Sequence, residues 1–172
     1  MKKQYLLLAA VTIDGKIAKN SGHLSTRWTS DEDKNHLHAI LDKSDLVVVG
    51  NNTYKTAYRP LRQRNCVVFT RSVKTTAQKN AKCLYLNPSA VDIKKWLAQS
   101  PYKKIAILGG TATYNLFLEK KLISDIYLTI EPVIFGTGLG LFDTNLKNFQ
   151  RFKLLSIKKL NRRGSILLHY TA

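Results

Sequence analysis

A pair of glycines between an apolar segment and a helical pattern is the first feature that could bind a ligand. Gly109 and Gly110 follow the apolar run 105–108, and residues 111–118 have the pattern of a helix. A strand that ends at two glycines and continues as a helix leaves backbone N–H groups free, and the helix dipole favours an anion there. The segment therefore predicts either a seat for a cofactor pyrophosphate or a tight turn that binds nothing.

The second candidate is a carboxylate in line with the apolar face of a helix. The helix predicted over residues 31–41 has one apolar stripe, made of Leu37, Ile40 and Leu41. Asp33 lies one turn before this stripe and on the same face. A carboxylate that faces inward costs free energy unless it is hydrogen-bonded or paired, so a functional site is one reason to keep it. The alternative is that Asp33 stabilises the first turn together with Ser30, the predicted N-cap.

The histidines and cysteines form no predicted metal site. His36 and His38 are two residues apart and face different directions on the helix, so we expect them to be solvated or structural. Cys66 and Cys83 are isolated in apolar segments, which makes neither a metal site nor a disulfide framework. Two such thiols favour a reduced, cytoplasmic setting.

Composition limits the class of protein. The chain has 172 residues, 44% of them hydrophobic, which predicts one domain over residues 1–172. Apolar runs are too short to span a membrane. The formal net charge of +17 attracts phosphates, but the basic residues are scattered over the whole chain. We therefore expect a solvated basic surface and no specific nucleic-acid site, on either a monomer or a homodimer.

The order of predicted elements positions these candidates. Strands alternate with helices, which predicts an α/β fold with a central, mostly parallel sheet and helices on both faces. Residues 152–157 and 166–170 predict a C-terminal antiparallel hairpin. Residues 59–61 are expected to break a short helix, and residues 71–81 to form a polar loop. Because ligands bind beyond the carboxyl ends of parallel strands, Gly50, Thr70 and the Gly109–Gly110 pair should share one rim.

Six segments, in order along the chain, resemble motifs of the dihydrofolate reductase superfamily, which includes the reductase domain of riboflavin biosynthesis. They are 12–18 (TIDGKIA), 28–33 (WTSDED), 49–54 (VGNNTY), 69–71 (FTR), 108–114 (LGGTATY) and 127–129 (YLT). The resemblance covers nearly the whole chain and implies a dihydrofolate reductase-like fold.

The resemblance implies a substrate site around Asp33. Its carboxylate would bind the amino-pyrimidine edge of the substrate ring, with Thr129 hydrogen-bonded nearby and Trp28 closing the site. Further residues implied in substrate binding are Ala9, Glu32 and Leu37, and Glu32 is the competing acid.

The resemblance also implies NADPH as the cofactor. Residues near the nicotinamide and the loop over it would be Ala10, Lys16 and Ile17. Residues around the dinucleotide phosphates would be Gly50, Asn52, Thr53, Thr70, Arg71, Gly109, Gly110, Thr111, Ala112 and Thr113. An arginine beside the ribose 2′-phosphate favours NADPH over NADH through bidentate contact.

Three segments depart from the folate branch of the superfamily. Asn51 stands where many relatives have arginine, and Thr111 replaces a common third glycine. Residues 132–142 resemble the riboflavin branch more than the folate branch. We expect an NADPH-dependent reductase of dihydrofolate. The alternatives are reduction of 2,5-diamino-6-ribosylamino-4(3H)-pyrimidinone 5′-phosphate and, from another class, a basic nucleic-acid-binding protein on this fold.

Overall fold

The structure is a computed structural model that describes residues 3–172. Its strands are β1 Gln4–Thr12, β2 Lys16–Ala18, β3 Leu46–Gly50, β4 Cys66–Phe69, β5 Thr76–Asn80, β6 Cys83–Leu86, β7 Lys104–Ile107, β8 Asp125–Glu131, β9 Leu139–Gly140, β10 Lys153–Lys159 and β11 Ile166–Thr171. Its α-helices are α1 Asp31–Leu41, α2 Asn51–Thr56, α3 Tyr58–Leu61, α4 Ile93–Gln99 and α5 Thr111–Glu119. Within the described range, every helix is too short or too polar to cross a lipid bilayer.

The main sheet has nine strands in the order β10-β11-β8-β1-β7-β3-β4-β6-β5. The strands from β8 to β6 run parallel to their neighbours. The β10–β11 hairpin adds antiparallel strands at one edge, and β5 does so at the other. β2 and β9 form a separate two-stranded sheet. The prediction of a mostly parallel α/β sheet with a C-terminal hairpin is confirmed.

Alternate side chains of the central strands supply two cores, one on each face of the sheet. Val48 packs in the first core with Leu97 of α4 and Phe117 of α5. Val49, its neighbour in β3, points to the opposite face and packs in the second core with Leu41 of α1. Helices therefore cover both faces, as predicted, and the central strands read as continuous apolar runs because both of their faces are buried.

Two segments differ from the sequence prediction. Residues 58–61 form the short helix α3 and do not break the helical region. Pro60 is tolerated because it lies in the first turn, where a backbone N–H has no partner within the helix. Residues 76–80 form edge strand β5 within the predicted polar loop, and this strand pairs with β6. Its side chains are polar and largely exposed, so the sequence had no apolar alternation to indicate it.

Cys66 and Cys83 are neighbours and not the isolated thiols that the sequence suggested. They lie opposite each other on the adjacent parallel strands β4 and β6, and both are buried and free. Burial raises the pKa of Cys66 to about 12, and the neighbouring Cys83 acts in the same direction. Cys66 is therefore a protonated thiol at neutral pH, and it behaves as part of the apolar core.

Candidate active site

A cleft of about 1140 Å³ opens beyond the carboxyl ends of the parallel strands. Gly50 at the end of β3, Thr70 after β4 and Gly110 after β7 all lie on its wall, as the predicted rim requires. The predicted site residues on the wall are Ala9, Ala10, Ile17, Asp33, Leu37, Gly50, Asn52, Thr53, Thr70, Arg71, Gly110, Thr111, Ala112, Thr113 and Thr129. The fold thus brings most of the candidates into one cavity, while their individual roles stay predictions.

At one end of the cleft, β3 and the double-glycine turn approach each other closely. The Gly50 N–H donates a hydrogen bond to the Gly109 carbonyl at 2.7 Å. A Cβ atom added to Gly50 would lie 3.1 Å from Thr113 Oγ1 and 3.5 Å from the Gly110 nitrogen. The absence of a side chain at Gly50 therefore lets the first turn of α5 pack directly against the end of β3. The peptide between Gly109 and Gly110 is cis.

The amino end of α5 offers backbone donors to the cleft. Gly110 is the N-cap, and no hydrogen bond within residues 3–172 uses the N–H groups of Gly110, Thr111 or Ala112. The Thr111 side chain does not provide a further donor, because its hydroxyl is bound to the Gly140 carbonyl at 2.6 Å. Free N–H groups at the positive end of a helix dipole favour a phosphate group. The geometry is thus suited to the anion seat, which stays a prediction.

Thr70 and Arg71 lie where β4 ends. The Thr70 hydroxyl donates to Ser72 Oγ at 2.9 Å and accepts from the Ser72 N–H at 3.1 Å, which fixes this turn. Arg71 follows, with an exposed side chain on the cleft wall. In the part of the chain that the structure describes, Arg71 is the one lysine or arginine on that wall. The cleft therefore has a strong cation at the end formed by β4 and α2, and its opposite end has none.

Asp33 lies at that opposite end, in the first turn of α1. It is 9% exposed, and burial is the main reason that its pKa is raised. The Thr129 hydroxyl lowers that pKa, and Thr29 does so more weakly. Thr29 Oγ1 is buried and, among the described residues, has no hydrogen-bond partner of ordinary geometry. A shielded carboxyl that retains its proton more readily than usual can bind or protonate a polar ring edge.

The cap of α1 and the Asp33 carboxylate are separate. Ser30 is the N-cap, and its hydroxyl accepts a hydrogen bond from the Asp33 backbone N–H at 3.3 Å. The prediction that Ser30 caps the helix is confirmed, and the Asp33 side chain takes no part in that cap. Asp33 therefore keeps its carboxylate for the cleft, where Thr129 on β8 lies opposite Ala10 on β1.

His36, which we expected to be solvated or structural, lies on the cleft wall. It lies three residues after Asp33 on α1, and its ring centre is 5.5 Å from that of Tyr127. Tyr127 in turn stacks on His169 at 4.2 Å. Burial, followed by the charges of Lys158 and His169, lowers the pKa of His36, so its imidazole is neutral at neutral pH. The spacing of three residues from Asp33 was the signal that could have identified it.

Trp28 and Glu32 do not lie on the cleft wall, and the roles that the resemblance implied for them stay predictions. Trp28 packs edge to face against Phe135, with 5.0 Å between ring centres. Glu32 is exposed, and its carboxylate accepts a hydrogen bond from the Asn161 side chain at 3.2 Å. Glu32 therefore contacts the turn of the C-terminal hairpin, because its position on α1 points away from Asp33. Of the two competing acids, only Asp33 faces the cleft.

Lys16 and Gly109 are the other predicted residues that are not on the wall. Lys16 pairs with Gly140 in the small β2–β9 sheet, whereas Ile17 and Ala18 of the same strand line the cleft. Gly109 lies behind Gly110, and its carbonyl accepts the Gly50 N–H. Gly109 has a φ of +80°, and the Tyr114 ring fills the space that a side chain would need. Its contribution is to the shape of the turn and not to contact with a ligand.

Comparison with known proteins adds a family and a fold. The family model described as the RibD C-terminal domain matches residues 5–164. The chain is 28% identical over 178 residues to the uncharacterized protein YwjB of Bacillus subtilis. That match covers 99% of this chain and 98% of YwjB. It is 24% identical over 205 residues to the riboflavin biosynthesis protein RibD of Aquifex aeolicus, where the match covers 97% of this chain and 57% of the relative.

Solved structures share the fold at low sequence identity. A pyrimidine reductase-like protein of Corynebacterium diphtheriae superposes with a TM-score of 0.78 at 17% identity, over 98% of this chain and 91% of that one. The diaminohydroxyphosphoribosylaminopyrimidine deaminase/5-amino-6-(5-phosphoribosylamino)uracil reductase of Thermotoga maritima does so with a TM-score of 0.73 at 17% identity. That match covers 99% of this chain and 56% of the Thermotoga chain.

Proposed function

Because the chain belongs to the RibD C-terminal domain family, we propose that it is an NADPH-dependent oxidoreductase that reduces a ribosylaminopyrimidine phosphate of riboflavin biosynthesis. The observation that carries the proposal is the family match over residues 5–164, nearly the whole chain. The family favours this substrate over dihydrofolate, which the sequence analysis preferred. The names of the Aquifex and Thermotoga relatives support the same pathway and the same reaction.

The cleft has suitable groups for a phosphorylated dinucleotide. The unused N–H groups of Gly110, Thr111 and Ala112 suit the pyrophosphate, and the exposed Arg71 suits the ribose 2′-phosphate. NADPH, when bound, supplies a hydride to the substrate. Ala10 and Ile17 supply apolar surface on the wall of the same cleft.

The reaction needs one hydride and one proton. In the open-chain form of the ribosylamino group, C1′ is joined to nitrogen by a double bond. The hydride adds to C1′ and the proton to that nitrogen, which leaves a ribitylamino group. The protein's share is to hold the ring and to supply protons. Asp33, with its raised pKa, and the Thr129 hydroxyl are the groups at the substrate end that can bind the polar edge of a pyrimidine.

Dihydrofolate is the second candidate substrate, and one observation favours it. The substrate end of the cleft, as far as residues 3–172 define it, presents no lysine or arginine to a sugar phosphate. A pterin ring has no phosphate and would still use the carboxylate of Asp33 for its amino-pyrimidine edge. The two substrates therefore make opposite demands on the charge of that end of the cleft.

Parallel assays of NADPH oxidation with the pyrimidine phosphate and with dihydrofolate test the proposal. We expect turnover of the pyrimidine phosphate, faster with NADPH than with NADH, and its loss in the Asp33→Asn variant. Turnover of dihydrofolate alone would replace the first candidate by the second. Inactivity on both, together with tight, sequence-selective nucleic-acid binding at physiological salt, would overturn the assignment as an enzyme.

A further inference from the structure

Glu131 is a buried carboxylate that the proposed reaction does not use directly. It is the last residue of β8 and is 3% exposed. One carboxylate oxygen accepts hydrogen bonds from both the backbone N–H and the hydroxyl of Ser30, each at 2.8 Å. The other oxygen accepts the hydroxyl of Ser165, which follows the turn of the C-terminal hairpin. Glu131 therefore links two segments that are distant in the sequence, because its carboxylate accepts two hydrogen bonds from Ser30 and one from Ser165.

Glu131 contacts the residue that caps α1, the helix that carries Asp33, and the turn of the C-terminal hairpin. Ser30 is the N-cap of α1, and its hydroxyl also accepts the Asp33 backbone N–H. Ser165 is held in turn by Asn161, whose side chain donates to Ser165 Oγ at 2.9 Å and accepts the Ser165 N–H at 3.2 Å. The first turn of α1 is thus connected through Glu131 to the β10–β11 hairpin.

We propose that Glu131 is a positioning residue for the reduction: its carboxylate holds the first turn of α1 against the C-terminal hairpin and thereby fixes Asp33 in the cleft. The proposal rests on the proposed function only in taking Asp33 as the acid that binds the substrate. The same carboxylate also acts through its charge, because a negative group near Asp33 opposes loss of the Asp33 proton.

Other charged and titratable groups near Asp33 come from the elements packed around it. Lys34 on α1 favours the ionised form of Asp33, although it is also paired with Asp31 at 2.9 Å. The pKa of Tyr114 on α5 is raised mainly by burial, and the charge of Asp33 raises it further. Glu32 is exposed on the same turn of α1, and His36 lies one turn further along. Glu131 differs from these groups because Ser30 connects it to the Asp33 backbone: the Ser30 hydroxyl donates to Glu131 and accepts the Asp33 N–H.

The test compares Glu131→Gln and Glu131→Asp in the full-length protein. Glutamine retains the length and an acceptor for Ser30 but removes the charge, whereas aspartate retains the charge but is too short to contact both serines. Carbon-13 NMR of labelled aspartate side chains follows the titration of Asp33, with Asp33→Asn to assign its signal. Glu32→Gln is the matched control, since it removes a carboxylate charge from an exposed site on the same helix turn and glutamine keeps an acceptor for the Asn161 side chain.

In Glu131→Gln, we expect the Asp33 titration and the acid limb of the kcat/KM profile to move to lower pH, because the charge that opposes loss of the Asp33 proton is removed. Glu131→Asp should leave the titration close to that of the wild type and raise KM several-fold, with a smaller change in kcat. Glu32→Gln should change neither. An unmoved Asp33 titration in folded Glu131→Gln protein overturns the role of the charge. A wild-type KM in Glu131→Asp overturns the positioning role, and remains decisive if the glutamine variant does not fold.

The NMR titration needs no turnover. Wild-type protein that is inactive on both substrates, yet shows the shifted Asp33 titration in Glu131→Gln, would refute the proposed function and support the link between Glu131 and Asp33. Equal shifts in Glu131→Gln and Glu32→Gln would show a general effect of net charge and would overturn the inference.

Discussion

The Asp33→Asn substitution should stabilise the folded protein at neutral pH while it removes activity. Burial raises the pKa of the Asp33 carboxyl in the folded state. Between the unfolded and folded pKa values, the folded protein therefore binds more protons, and its free energy of unfolding falls as the pH rises through that window. At pH values above the folded pKa, the buried charge lowers the free energy of unfolding by a constant amount. Asparagine cannot ionise, so the variant does not bear that cost.

The expected size follows from two opposing contributions. Burial of the Asp33 charge costs free energy that the neutral asparagine avoids. Loss of a negative charge from the first turn of a helix costs about 0.3–1 kcal/mol. The Ser30 cap is unaffected, because it binds the backbone N–H of residue 33. We expect Asp33→Asn to raise the free energy of unfolding near neutral pH by about 0.5 kcal/mol or more, at the low end of the range for single substitutions, which is about 1–2 °C or more in Tm for a chain of this size.

Urea unfolding of the two proteins near neutral pH and at about pH 4 measures the effect. The difference should be present near neutral pH and should shrink as the pH falls, because the folded protein takes up the Asp33 proton before the unfolded chain does. Asp31→Asn is the control on the same helix turn. Asp31 is exposed, and its hydrogen bond to Lys34 lowers its pKa, so its replacement should destabilise near neutral pH. Lower stability of Asp33→Asn near neutral pH, or a difference that is independent of pH, would refute the account.

Further substitutions probe the rest of the cleft. Arg71→Ala should weaken NADPH binding by about 1.5 kcal/mol, roughly tenfold, and leave NADH binding nearly unchanged by calorimetry; equal losses would contradict the role. Gly109→Ala should cost about 3 kcal/mol or more in unfolding experiments, because its Cβ would lie 2.5 Å from the Tyr114 ring at a φ of +80°. Tyr114→Phe should cost about 1–3 kcal/mol, since it removes the hydrogen bond to the Leu8 carbonyl at 2.7 Å. DNA or RNA binding should be weak and should fall steeply with salt in filter assays; salt-resistant binding would contradict a general surface charge.

Asp33 and the double-glycine turn could be predicted because each depends on neighbours in the sequence. The position of Asp33 follows from the helical period of α1, and the turn follows from two glycines between a strand and a helix. Trp28 could not be placed in this way, since its environment is set by Phe135, about 100 residues later in the chain. A local pattern cannot predict such a contact, however well it predicts the helix that follows.

Glu131 shows a signal that was present in the sequence and not used. The segment 126–130 (IYLTI) has the composition of a strand, and β8 extends one residue further, to Glu131. Because side chains alternate along a strand, Glu131 shares a face with Thr129, which the resemblance had already assigned to the site. Edge strand β5 had no comparable signal, because its pairing with β6, and not its polar side chains, determines its conformation.

The position of β1 in the sheet has a consequence for synthesis of the protein. The first strand of the chain is a central strand, and its two neighbours are β7 and β8, which begin about 100 residues later. During translation from the N-terminus, the apolar segment QYLLLAAVT therefore leaves the ribosome long before either partner exists. One of its edges stays open until β7 has emerged and the other until residue 131 of β8 has emerged, which is the condition under which strands pair with other chains. The nascent chain should accordingly depend on chaperones for a larger part of its synthesis than a protein whose first strands form a hairpin.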